Sequence, residues 1–387
     1  MIERTLFSPD HEAFRDSFRR FVDKEIVPFH AAWEEQGYVD RAVWLQAGAN
    51  GFLCTSMPEE FGGSGADKLY SVVQMEELAR AGITGIGYSL HSEIVAPYLL
   101  HYATPAQKAK YLPQMASGAM VGAIAMSEPA AGSDLQGIQS TAIQQPDGSY
   151  RLNGSKTFIT NGWHADLVIV VAKTMPAAGA KGISLLLVER GMRGFSAGKR
   201  LKKLGMKAQD TSELFFSDVS VPAEKLLGGD AQENKGFICL MEQLPWERLQ
   251  IAIGAVASAQ AAIDWTVAYV KERKVFGQPV ANFQNTRYRL AELQTEVQVA
   301  RVFVDKCVEL VARDKLDTAT ASMAKYWTTD LQCKVMDECV QLFGGYGYMW
   351  EYPITLAYAD ARLQRIYGGT NEIMKEVISR AMGLGGR

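Results

Sequence analysis

Residues Ala125–Asp134 (AMSEPAAGSD) and Lys156–Gly162 (KTFITNG) decide how this chain is read. In the first run an apolar strand end passes into a hydroxyl, an acid, a proline and a Gly-Ser-Asp turn. Such a run gathers backbone N–H groups and short polar side chains at one spot, where anions and carbonyl-rich rings bind. In the second run Phe158 and Thr160 stand two residues apart on a predicted strand and so share one side of it. That pair offers a ring to stack on and a hydroxyl to hydrogen-bond. Together the runs predict a cradle for a flat, polar ring system.

The hydrophobic period changes on either side of this cradle. From His11 to about Gly118 apolar positions recur at helical spacing, as in Phe14, Phe18, Phe21, Val22 and Ile26, with Pro28 ending the first helix. A Gly-rich loop at Met57–Asp67 precedes a helix expected over Leu69–Ala81, and Thr104-Pro105 supplies the cap and first turn of another. Between about Ala119 and Val221 the period is that of strands, clearest at Tyr150–Asn153, Leu167–Ala172, Ile183–Glu189 and Glu213–Phe216. Consecutive strands with turns such as Pro146-Asp147-Gly148 and no helices between them predict an antiparallel sandwich or barrel. Helical spacing returns at Gly236 and is strongest in Arg287–Arg313, where Leu290, Leu293, Val297, Ala300, Val304, Val308 and Val311 form one stripe. The expected fold class is α+β in three parts: a helical domain over 1–118, a β domain over 119–230 and a helical domain over 231–387, with Gly383–Arg387 frayed.

Composition narrows the function classes. The 387 residues are 48% hydrophobic, enough for a full core, and 40 basic against 43 acidic residues give no bias toward nucleic acid. Lys199, Arg200, Lys202, Lys203 and Lys207 form a local basic patch, read as a solvated sheet rim or as a seat for nucleotide phosphates. Five cysteines without CxxC spacing argue against disulfides and zinc and fit a reducing compartment. The five histidines are scattered without metal-ligand spacing, and no GxSxG elbow marks a hydrolase. The chain opens on a charged amphipathic helix, and no apolar run looks long enough to span a bilayer, so a cytoplasmic protein is expected. No GxGxxG follows a strand, which leaves a dinucleotide to be held between domains instead.

Four further segments carry a resemblance: LPWERL (Leu244–Leu249), RKVFGQPVANFQ from Arg273, QLFGG (Gln341–Gly345) and Tyr367-Gly368-Gly369-Thr370. With the two opening runs they resemble the signature segments of the acyl-CoA dehydrogenase family, over roughly residues 10–383. Many members carry a catalytic glutamate where Gly368 stands, and glycine takes no proton. LPWERL is similar instead to the long-chain and isovaleryl-type subgroup, whose glutamate lies on the helix after the β domain. Here that residue is Glu247, 26 residues before Arg273, which is the family's spacing.

The resemblance implies a middle β-barrel or sandwich, a C-terminal four-helix bundle, FAD at the domain junction and α,β-desaturation of a medium-, long- or branched-chain acyl-CoA. That chemistry needs a carboxylate for the α proton, a hydride acceptor and donors on the thioester oxygen. The resemblance assigns Glu247 as base and the Gly368 backbone N–H as a donor, and the missing side chain at 368 is expected to leave free volume beside the α carbon. It assigns FAD to Met126, Ser127, Gly132, Ser133, Phe158, Ile159 and Thr160, with Phe158 where most relatives have tryptophan. Gln341, Gly344, Gly345, Thr370 and Glu372 complete that set, while Arg273, Phe276 and Gln284 reach the FAD of a neighbouring subunit. Substrate falls to Phe237, Leu244, Arg248, Tyr367 and Gly369, with Ser133 serving flavin pyrophosphate or CoA pantetheine. A homo-oligomer, usually a tetramer, and an electron-transferring flavoprotein as acceptor follow from the same likeness. Gly82–Leu90 is expected at the pocket floor, where Gly82, Gly85 and Gly87 hint at depth.

Other readings stand beside these. Taken alone, Glu247 is a first-turn helix glutamate after Pro245, Arg248 a surface salt-bridge partner, and Phe237 and Tyr367 core aromatics. A flavin oxidase or monooxygenase on the same scaffold, or a non-catalytic FAD-containing assembly protein, are the functional alternatives.

Overall fold

The computed structural model describes residues 2–385, so the tail expectation for Gly386 and Arg387 lies outside the described residues. The N-terminal part is helical: α1 (Pro9–Glu25), α2 (Val27–Gln36), α3 (Arg41–Ala49), α4 (Lys68–Arg80), α5 (Tyr88–Leu90), α6 (Ala96–Tyr102) and α7 (Pro105–Ala116). Local chemistry fixes the helix starts. Thr104 accepts from the Gln107 N–H while the Gln107 side chain accepts from the Thr104 N–H, and Pro105 occupies the first turn. A π-helical turn at His91–Val95 joins α5 to α6 and re-phases the side chains that follow.

The middle part holds β1 (Gly122–Ala125), β2 (Thr141–Gln144), β3 (Tyr150–Thr160), β4 (Leu167–Lys173), β5 (Ile183–Glu189), β6 (Phe195–Arg200) and β7 (Thr211–Val221). They form one seven-stranded sheet in the order β1-β4-β2-β3-β7-β6, with β5 also paired to β4. The expectation of a purely antiparallel sheet is corrected: β4 runs parallel to β1 over Leu167–Val170 and meets β2 in parallel at Lys173. Parallel neighbours normally need a helical crossover. Here the β2–β3 hairpin takes that place, reversing the chain so that β4 returns alongside β1 without a helix.

The C-terminal part contains α8 (Gly236–Glu272), a short ribbon of β8 (Lys274–Val275) and β9 (Gln278–Pro279), then α9 (Gln284–Val311), α10 (Thr318–Phe343), α11 (Pro353–Gln364) and α12 (Asn371–Ala381). The stripe read on α9 is the packed one: Leu293, Val297, Ala300, Val304 and Val308 are buried in the bundle core with α8 and α10. One further correction concerns membranes. Helix α8 is long and apolar enough to cross a bilayer. It is hydrophobic on most sides because α4, α9, α10 and α11 pack around it.

The two signature runs are stapled together inside the β domain. The Lys156 ammonium, wholly buried, donates to the Glu128 carboxylate at 2.8 Å and to the Met126 carbonyl at 3.0 Å. Glu128 also accepts from the N–H groups of Gln139 at 2.6 Å and Ser140 at 3.0 Å. Burial by itself would raise the Glu128 carboxyl; the Lys156 charge and these donors win and hold it below the usual carboxylate range.

Candidate active site

A cavity of about 540 Å³ opens where the three parts meet. Its walls bring together most of the residues singled out from the sequence: Met126, Ser127, Gly132, Ser133 and Thr160 from the β domain, Phe237, Leu244, Glu247 and Arg248 from α8, and Tyr367, Gly368 and Gly369 from the turn before α12. Segments far apart in sequence converge because α8 crosses the junction and the 367–369 turn folds back over it.

Glu247 is the twelfth residue of a 37-residue helix, so the first-turn, dipole-complementing reading is excluded. Pro245 sits inside the helix rather than starting it. The carboxylate is buried, and its oxygen Oε1 accepts from the Tyr98 hydroxyl at 3.1 Å. Burial pushes the Glu247 carboxyl up to about 7, against the opposing pull of the Tyr98 hydrogen bond and the Arg248 charge. A carboxyl that titrates near neutrality inside a closed site is matched to proton transfer.

Arg248 is buried, which removes the surface salt-bridge alternative. Its Nη1 donates to the Ser322 hydroxyl at 3.2 Å, and its Nε has no partner among the described residues. The Tyr367 hydroxyl donates to Gln364 at 2.8 Å. Gly368 and Gly369 both have positive φ, +64° and +91°, a conformation natural to glycine. Lys325, fully buried on α10, ties this turn down by donating to the Gly369 carbonyl at 2.7 Å and to the Asn371 side chain at 2.9 Å. Among the described residues the Gly368 N–H donates to no acceptor, which leaves it free for a ligand oxygen.

The expected free volume at position 368 is corrected. A Cβ built there would stand 2.5 Å from the Ile251 Cδ1, so Ile251 already fills that space. Gly368→Glu is expected to fold but to lose about 1–2 kcal/mol, the cost of a left-handed L-residue, because the obstructing atom is the end of a flexible side chain. Thermal unfolding of the variant checks this. Gly85 and Gly87 likewise give no depth: a Cβ on either would lie 2.2 Å from Ala208 or Asn161. Gly82–Leu90 does line the cavity, as a loop entering α5 rather than as a helix.

Other predicted positions lie elsewhere. Ile159 is packed in the β-domain core, so only its backbone can face a ligand. Phe158 is 71% exposed with φ +58°, at a register irregularity in β3, and Thr160 alone of the pair lines the cavity. Arg273, Phe276, Gln284, Gln341, Gly344 and Gly345 lie on the surface away from the cavity. There the Arg273 guanidinium sits 5.6 Å from the Tyr346 ring centroid and Phe276 is 94% exposed. The Thr370 hydroxyl caps α12, and Glu372 points to solvent in its first turn. The basic patch is partly spoken for: Lys203 hydrogen-bonds Thr211, and Lys207 and Arg200 lie over aromatic rings. Among the described residues no cluster of side chains suits a metal ion.

Tyr98 and Lys325 gave no signal in the sequence. Each acts through a contact more than forty residues away along the chain, and neither sits in a recognisable motif.

The chemistry of the rim fits a flavin. Ser127, Ser133 and Thr160 offer hydroxyls, and among the described residues the backbone N–H groups of Gly132 and Ser133 donate to no acceptor of the chain. This donor set suits the heteroatoms of an isoalloxazine or the oxygens of its phosphate tail.

Comparison with known proteins agrees with that geometry. Family models described as the acyl-CoA dehydrogenase N-terminal, middle and C-terminal domains match residues 8–119, 123–219 and 234–383. The chain is 54% identical to the long-chain specific acyl-CoA dehydrogenase, mitochondrial, of Mus musculus, covering 97% of this chain and 87% of the relative. It superposes on an acyl-CoA dehydrogenase from Geobacillus kaustophilus with a TM-score of 0.96 at 47% identity, covering 99% and 100% of the two chains. An acyl-CoA dehydrogenase complexed with FAD from Bacillus anthracis gives 0.91 at 32% identity, covering 98% of this chain and 70% of that one. The cavity with its buried carboxylate, the flavin-suited rim and these likenesses along the whole chain have one common explanation: the chain belongs to the acyl-CoA dehydrogenase family of FAD-dependent oxidoreductases.

Proposed function

We propose that the protein desaturates an acyl-CoA thioester between its α and β carbons, giving a trans-2-enoyl-CoA. The observation that carries this reading is the Glu247 carboxyl, buried, poised at about 7 and set in one cavity with the Thr160 hydroxyl and the free Gly368 N–H. Ionised Glu247 takes the α proton. The Gly368 N–H donates to the thioester oxygen as charge builds there, and Lys325 keeps that donor in place through the Gly369 carbonyl. FAD, when bound, supplies the acceptor for the β hydride. Leu244, Phe237 and Tyr367 exclude water from the reacting carbons.

The base must be ionised to work, so kcat/KM is expected to climb as pH rises through about 7 and then level off. In Tyr98→Phe the carboxylate loses a donor that favours its charged form, and the rising limb moves to higher pH. A kcat/KM series across that range checks both; a Tyr98→Phe limb that moves to lower pH counts against the assignment.

The same reading includes a homo-oligomer in which the exposed Arg273, Phe276 and Gln284 reach a neighbour's cofactor, and an electron-transferring flavoprotein that receives the electrons. It also includes a cytoplasmic home, in keeping with five free cysteines. Anaerobic titration with acyl-CoA esters tests the function: flavin absorbance at the visible maximum should bleach and return slowly in air. Rapid return in air would make the protein an oxidase, and no bleaching with any ester would make it a non-catalytic flavoprotein.

A further inference from the structure

We propose that the π-helical turn at His91–Val95 sets the phase of α6 for the base, and that Glu93 and Gln250 are positioning residues that lock this turn to α8. Through them the Tyr98 hydroxyl is held on the Glu247 carboxylate. The inference rests on the reading of Glu247 as base and names what keeps its hydrogen-bond donor in place. A π turn carries one residue more than an α turn, so everything after it rotates by about 100° around the helix axis. Tyr98 follows the turn on α6, and that rotation decides whether its hydroxyl meets Glu247.

Consecutive side chains hold the turn. The His91 ring accepts from the Gly122 N–H at 3.0 Å and donates to the Met115 carbonyl at 3.0 Å, and the Ser92 hydroxyl accepts from the Cys54 N–H at 2.9 Å. The buried Glu93 carboxylate accepts from the Ser71 hydroxyl at 2.7 Å and from the Lys68 ammonium at 2.9 Å, both on α4. The link to α8 also runs through Glu93. Its backbone carbonyl accepts from the Gln250 amide at 3.2 Å, and its partner Lys68 lies 5.0 Å from the Trp246 ring centroid. Trp246 and Gln250 stand four residues apart and so share a helix face, with Glu247 between them in sequence.

The polarity of this contact is what needs explaining. Gln250 is buried inside α8, where an apolar side chain would pack without a desolvation cost, so the amide is justified by the bond it makes. That bond fixes the turn, and α6 after it, against α8 beside the base. Two groups act on the charge of Glu247: the Tyr98 hydroxyl from α6 and Arg248 from α8 itself. The other titratable side chains on the cavity walls are Asp134 from the β domain, Asp360 from α11 and Tyr367 from the turn before α12. The Lys68–Glu93 pair is neutral as a unit. Loosening the Tyr98 contact removes support for the ionised form while burial and Arg248 stay as they are, so the Glu247 carboxyl rises.

The test reads Glu247 directly in the holoenzyme, as the infrared band of its protonated carboxyl that Glu247→Gln removes. The band is titrated across neutral pH in Gln250→Met, Tyr98→Phe and the double variant. Methionine keeps the length of Gln250 and loses its donor. The midpoint should move up by about one pH unit in Tyr98→Phe and by about half a pH unit in Gln250→Met. The double variant should stay within about 0.3 pH unit of Tyr98→Phe alone, since Gln250 acts through that hydroxyl. Ser71→Ala loosens the Glu93 side chain from outside the cavity wall; it should move the midpoint the same way, and it carries the test if Gln250→Met fails to fold. The rising limb of kcat/KM should follow the same midpoints. An unmoved midpoint in folded Gln250→Met, or in Ser71→Ala if that variant alone folds, overturns the inference, as does a shift that adds in full in the double variant. Oxidation of no acyl-CoA ester overturns the desaturation reading instead, because the infrared midpoints report the contact without turnover.

Discussion

Glu247→Gln is expected to abolish turnover while making the protein more stable. General-base removal costs about 10²–10⁴ in rate, and here no second carboxylate stands at position 368 to replace the lost one, so the upper end applies. The flavin should remain bound and yellow, because none of the rim hydroxyls is touched, and acyl-CoA should still bind. The stability gain has a definite sign. Burial raises the Glu247 carboxyl to about 7 in the folded chain, above its value of about 4.3 when unfolded, so between those values the native state binds the extra proton. Stability contributed at this site therefore falls as pH rises through that window, and the ionised carboxylate is a burden above it. Glutamine stays neutral. The variant should exceed the parent by about 3 kcal/mol at pH 8 and by little at pH 4. Urea midpoints at the two pH values, with stopped-flow flavin reduction at each, measure both halves. Comparable turnover in the variant, or a stability gain at pH 4 and none at pH 8, would remove Glu247 from the mechanism.

Lys156→Met is expected to cost about 3–5 kcal/mol and to empty the flavin site, because it leaves the Glu128 carboxylate buried without its counter-ion. The consequence reaches the cofactor through geometry. Lys156 lies in the second signature run and holds both the Met126 carbonyl and the Glu128 side chain of the first. Glu128 in turn fixes the Gln139 and Ser140 N–H groups at the far end of the loop that carries Gly132 and Ser133. Losing the ammonium frees the loop on which the flavin-facing hydroxyls are mounted. Glu128→Gln should be milder, since a neutral amide can still accept from those N–H groups while Lys156 keeps the Met126 carbonyl. The ratio of flavin to protein absorbance after gel filtration, read with the denaturation midpoint, separates the two variants. A Lys156→Met protein that keeps full flavin would show that the pair serves the fold alone.

These two residues illustrate how site and fold divide between sequence and structure. LPWERL pointed to Glu247 through its resemblance, and the residue types in AMSEPAAGSD and KTFITNG pointed to a polar-ring cradle. The acid in AMSEP and the lysine that opens KTFITNG remained without a role, because only their approach across the sheet shows that they meet. Tyr98 was invisible for the same reason: a buried tyrosine on a short helix is ordinary until its hydroxyl is found on the Glu247 carboxylate. The parallel pairing of β4 with β1 was also beyond reach, since strand period reports which residues alternate and says nothing of a strand's neighbours.

What the sequence determined by itself was the helix–sheet–helix order, which is written in local hydrophobic period, while the resemblance of LPWERL singled out Glu247 as the proposed base. What only the tertiary structure decided was the environment of that base. Its raised proton affinity and the filling of the space at Gly368 by Ile251 both depend on which distant atoms come within a few ångströms, a quantity that no local pattern encodes.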